Sequence, residues 1–97
     1  MEIPNPAPNE ITVYSKSGCI NCSKVKKLLK EKHFKFTIVD CDDFILEDKE
    51  YFLNFMKIKA GFLCKTFPMV FEDNLFIGGY EETIKYLDKI LEFDETF

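Results

Sequence analysis

The sequence has no apolar run long enough to span a bilayer, no excess of basic charge and no leader-like N-terminus. The first absence excludes a helical membrane span, which needs about 20 mostly apolar residues. The formal charge of −4 leaves no basic stripe to neutralise phosphates, so no nucleic-acid partner is expected. The cluster Lys24, Lys26, Lys27, Lys30 and Lys32 then reads as the solvated face of one helix. Met1-Glu2-Ile3-Pro4-Asn5-Pro6-Ala7-Pro8 lacks both a basic n-region and an apolar core, which points to the cytoplasm. Histidine occurs once, as His33 at a helix end, where a cation suits the helix dipole and no catalytic role is needed. No repeat or low-complexity segment interrupts the chain.

Four cysteines are present, but no second close pair. A disulfide framework fits poorly without a secretory context, and a structural zinc site normally needs two close pairs, so no metal site is expected. Cys19 and Cys22, two residues apart at a helix start, can close a disulfide. Cys19 falls where unpaired backbone N–H groups and the helix dipole favour a thiolate, so thiol–disulfide exchange is the expected chemistry. Cys41 and Cys64 read as small buried hydrophobes.

Eleven phenylalanines and four tyrosines give the 97 residues enough apolar area for one core and one domain over residues 10–97. Residues 1–9, rich in proline and polar side chains, read as a flexible lead-in. Ile11–Tyr14 is β-branched and aromatic, a short strand, and Gly18 ends it. Val25, Leu28 and Leu29 set one face of a helix from Asn21 or Cys22 to Lys32. Phe34–Asp40 is a second strand, parallel to the first by its strand–helix–strand order. Phe52, Phe55 and Met56 mark a second helix over Glu47–Lys59, stopping near Gly61. Met69–Glu72 and Leu75–Ile77, about Asp73-Asn74, predict an antiparallel hairpin. Ile84, Leu87, Ile90 and Leu91 predict a third helix over Tyr80–Glu92, followed by a frayed Asp94–Phe97 tail. The order gives an α/β sandwich of three layers with a four-stranded mixed sheet.

Three stretches fall in order at strand and helix ends: Val13-Tyr14-Ser15-Lys16 through Cys22, Thr66-Phe67-Pro68, and Phe76-Ile77-Gly78-Gly79-Tyr80. Together they resemble the glutaredoxins, the small glutathione-using branch of the thioredoxin fold, over about residues 11–92. The resemblance implies Cys19 as nucleophile and Cys22 as resolving thiol. It implies a cis Pro68, with the Phe67 backbone offered to glutathione like an added strand. Gly78-Gly79 resembles the turn that lets backbone approach the ligand, and Tyr80 and Glu81 resemble the residues that hold its γ-glutamyl end. Lys16, and Lys65 before Thr66, resemble the family's carboxylate partners. Ile20-Asn21 replaces the common Pro-Tyr, and Glu81-Glu82 replaces smaller residues, an acidic pair that also suits a helix start.

The activity so implied is that of a dithiol glutaredoxin, a monomer that reduces protein–glutathione mixed disulfides and protein disulfides. Glutathione is its cosubstrate, and no cofactor is tightly bound. One alternative is a thioredoxin-like reductant fed by a flavoprotein reductase, against which the Trp-Cys-Gly-Pro-Cys pattern is missing. The other is a carrier of a [2Fe–2S] cluster ligated by Cys19 and glutathione.

Overall fold

The protein is described by a computed structural model covering residues 2–95. Its elements run β1 (Ile11–Ser15), α1 (Ile20–Glu31), β2 (Phe36–Asp40), α2 (Asp42–Ala60), β3 (Met69–Glu72), β4 (Leu75–Gly78) and α3 (Tyr80–Glu95). The sheet order is β2-β1-β3-β4. β1 pairs in parallel with β2, from Ile11 opposite Phe36 to Ser15 opposite Asp40. It pairs antiparallel with β3, and β3 with β4. The mixed sheet and its parallel and antiparallel pairs agree with the sequence reading. No helix among the described residues is long and apolar enough to cross a membrane.

β1 is central and buried throughout, and its alternating side chains feed two cores. Ile11 and Val13 join Val70 against Val25 and Leu29 of α1 and Leu87 of α3. Tyr14 joins Met69 and Phe71 against Phe52 and Met56 of α2. The three layers are therefore α1 with α3, the sheet, and α2.

Three local expectations change. Within the expected flexible lead-in, Ile3 is buried on the α2-side core. The Tyr14 hydroxyl donates to the Pro4 carbonyl at 2.6 Å, and the Ala7 N–H to Thr12 Oγ1 at 2.8 Å. An isolated isoleucine between polar and proline residues carries no periodicity, so only its tertiary contacts mark it as core. Secondly, α2 begins at Asp42 rather than Glu47 and bends at Asp48, where the backbone leaves helical geometry (φ −158°, ψ 87°). The Asp48 carboxylate accepts the Tyr51 N–H at 3.0 Å and so restarts the helix as an N-cap would. The expected helix is this second half. Finally, α3 continues through Asp94 and Glu95, part of the expected frayed tail; Thr96 and Phe97 lie outside the described residues.

Candidate active site

β1 ends at Ser15, and Lys16-Ser17-Gly18 carries the chain into α1, with Gly18 in the left-handed region (φ 71°) that favours glycine. Two clamps fix this turn. The Cys41 N–H donates to the Ser15 carbonyl at 2.8 Å. Beyond it, the Ser17 N–H donates to Asp42 Oδ1 at 2.9 Å and the Ser17 hydroxyl donates to Asp42 Oδ2. The Ser17 hydroxyl and N–H, with a lesser effect of Lys16 and Lys26, hold the Asp42 carboxyl below its ordinary pKa against the opposing effect of desolvation. Neither Ser17 nor Asp42 was singled out from sequence. An acidic residue at the first position of a helix, with one residue between it and a strand end, is the available signal.

Cys19 is the N-cap of α1, with extended backbone (φ −99°, ψ 107°), and its sulfur accepts the Cys22 N–H at 3.1 Å. The sulfur thus stands at the unpaired N–H groups of the helix start, as a thiolate there requires. Cys22, one turn on, is 1% exposed, while Cys19 is only half-buried. The two sulfurs lie at disulfide distance, with Cα atoms 5.2 Å apart. A half-buried cysteine and a covered one thus face each other across one helical turn. Ile20, between them and 73% exposed, leaves an apolar side chain on the surface next to Cys19.

Of the other expected residues, Lys16, Lys65 and Phe67 line one concavity beside α2. The Phe67–Pro68 bond is cis. Pro68 is buried, Phe67 half-buried, and Lys65 and Thr66 exposed. The Lys16 ammonium lies 5.6 Å from the centre of the Phe67 ring. That ring stacks on Phe52 at 5.9 Å, and Phe52 in turn on Phe44 at 6.4 Å, so α2 fixes the Phe67 side chain. Gly79 lies beside Pro68, since a Cβ there would stand 3.7 Å from the Pro68 carbonyl oxygen. A Cβ on Gly78 (φ 134°) would collide with the Glu82 side chain at 2.7 Å, so this position needs glycine.

At the start of α3 the Gly79 N–H donates to Glu82 Oε1 at 2.9 Å, and Thr83 donates through N–H and hydroxyl to the Gly79 carbonyl at 3.0 and 2.7 Å. Glu82 therefore caps its own helix in the manner of a capping-box acid. The Tyr80 ring packs toward α1, 5.6 Å from the Lys24 ammonium and against the α1–α3 core. Glu81 is exposed.

Comparison with known proteins agrees with this geometry. The glutaredoxin family model matches residues 11–77. The chain is 37% identical to Glutaredoxin 1 of Rickettsia conorii over 87 residues, 84% of this chain and 80% of that protein. It is similar to the crystal structure of Glutaredoxin 1 from Francisella tularensis complexed with cacodylate. That match has a TM-score of 0.72 and 30% identity over 84% of this chain and 95% of the other. A buckwheat glutaredoxin–glutathione complex matches with a TM-score of 0.68 and 26% identity, over 84% of this chain and 70% of the other.

Proposed function

The chain belongs to the glutaredoxin family of thiol–disulfide oxidoreductases, and on that premise we propose that it draws its electrons from glutathione. The observation that carries this reading is the unequal pair: Cys19 half-buried at a helix N-terminus, Cys22 covered. The Cys19 thiolate attacks the glutathione sulfur of a protein–glutathione mixed disulfide. The old S–S bond breaks, the protein thiolate leaves and takes up a proton, and Cys19 becomes glutathionylated. A second glutathione thiolate attacks the bound glutathione sulfur, releasing glutathione disulfide and restoring Cys19. On a protein disulfide, Cys19 forms the mixed disulfide and Cys22 displaces the substrate, leaving the Cys19–Cys22 bond for two glutathiones to reduce.

Lys16 and Lys65 supply cations for the ligand's carboxylates. Thr66, Phe67 and Pro68 offer the extended backbone, and Gly79, Tyr80 and Glu81 the helix start, for the two ends of glutathione. That the structurally similar buckwheat glutaredoxin is a glutathione complex supports glutathione as the ligand. Glutathione acts as cosubstrate, and the reaction suits a monomer in the cytoplasm, where thiols are kept reduced.

The test is reduction of a glutathionylated peptide with glutathione as the only donor. Cys19→Ser should abolish it. Cys22→Ser should retain or raise it, because the competing intramolecular disulfide is gone, while losing reduction of protein disulfides. Lys16→Ala should raise KM about fivefold or more through loss of a charge-assisted hydrogen bond. Equal loss of activity in both cysteine variants, with both folded, would contradict the monothiol route.

A further inference from the structure

The bend in α2 shapes a groove of about 430 Å³ between its first turns and Phe67. Ile45, Leu46 and Leu53 face it together with the Phe67 ring. Leu46 is 82% exposed, an apolar side chain left on the surface. The rim carries three ammonium groups, Lys16, Lys49 and Lys65, and one carboxylate, Asp42. That carboxylate already accepts two hydrogen bonds from Ser17. A chain of net charge −4 thus presents a locally cationic, apolar concavity beside the residue that precedes Pro68.

Glutathione supplies carboxylates for the lysines but has no hydrocarbon side chain to cover Ile45, Leu46 and Leu53. A peptide carrying both does. We propose that this groove selects the protein substrates of the dithiol reaction, taking a bulky apolar side chain and an adjacent acidic residue next to the substrate's disulfide cysteine. The proposal rests on the reading of Cys19 as nucleophile. It extends that reading by naming the substrate class: the apolar side chain covers Leu46 and its neighbours while the acid pairs with Lys49. Leu46 and Lys49 belong to no other part of the site, so changing them separates peptide selection from glutathione chemistry.

Two peptide disulfides, identical except that Leu-Glu or Ser-Lys follows the reactive cysteine, provide the test. The protein should reduce the Leu-Glu peptide with kcat/KM about tenfold above the Ser-Lys peptide, the scale of one well-filled apolar contact. Leu46→Asp, at an exposed position that does not threaten folding, should bring the ratio to within about twofold. Lys49→Glu should shift preference toward the basic peptide. Both variants should keep the rate on a glutathione mixed disulfide of a small thiol. Equal rates on the two peptides with that rate intact would overturn the groove proposal alone. Loss of the glutathione rate in the unaltered protein would instead overturn the reading beneath it. A serine-substituted Leu-Glu peptide, which cannot react, gives a readout independent of turnover. It should shift the amide resonances of Ile45, Leu46 and Lys49, and no shift there would overturn the proposal in either case.

Discussion

Two cysteines of this protein stand at helix N-caps, and their surroundings differ sharply. Cys19 caps α1 with an extended backbone that turns its sulfur onto the Cys22 N–H. Cys41 caps α2 with ψ near 1° and makes no side-chain cap bond; its S–H points back at the Val39 carbonyl, 3.5 Å away. Cys19 is half-buried with Lys16 three residues before it, whereas Cys41 is wholly buried and flanked by Asp40 and Asp42. Burial, reinforced by the Asp40 charge, pushes the Cys41 thiol up to about 12. A helix start alone does not make a reactive thiolate. The sulfur must face the free N–H groups, and its surroundings must not penalise charge.

The sharpest break between the two sites is catalytic. Cys19→Ser should lower turnover on any disulfide substrate on the order of a thousandfold or more, whereas Cys41→Ala should stay within about twofold. Steady-state assays of the two variants side by side check this, and a comparable loss in Cys41→Ala would erase the distinction.

Stability should separate them the other way. Cys41→Ala removes a fully packed side chain and should cost about 1–3 kcal/mol in denaturant unfolding. The sign with pH follows from a folded pKa raised above the unfolded one. The contribution of Cys41 is complete below the ordinary thiol range and is lost as pH rises toward about 12. Alkaline unfolding should therefore be less steep in Cys41→Ala than in the unaltered protein.

A smaller effect is expected at Asp42, which ties the turn before Cys19 to the start of α2. Asp42→Ala should slow turnover by about threefold to tenfold by loosening that turn. Its carboxyl is held below its ordinary pKa, so this clamp contributes above the usual carboxylate range. It is lost only as pH falls through that depressed value. Acid titration of stability should be shallower in Asp42→Asn. Smallest of all, Asp40→Asn should leave Cys41 unreactive, since burial outweighs the carboxylate beside it.

How far these contrasts could be read from sequence depends on the range of the interactions that make them. The Cys19-x-x-Cys22 start of α1 and the alternating strand residues are local patterns, and they gave the layers, the sheet and the unequal cysteine pair. Thr66-Phe67-Pro68 and Gly78-Gly79-Tyr80 became legible only together, as motifs in order. The first turns of α2 were not legible. Phe44, Ile45 and Leu46 are three consecutive apolar residues with no helical spacing, and Asp48 interrupts the period that Phe52 and Met56 continue. The groove and the Asp42 clamp depend on that bend and on a contact across the sheet end, as the docking of Ile3 depends on the core it meets.

The orientation of the Cys19 sulfur is most directly tested by alkylating the fully reduced protein across pH and mapping the modified residue by mass. The predicted result is a single labelled site, Cys19, whose rate levels off below the roughly 8.5 at which a free thiol titrates, with Cys22 and Cys41 unlabelled until the protein unfolds. A Cys19 rate that tracks an ordinary free thiol, or labelling of Cys41 in the folded protein at neutral pH, would contradict it.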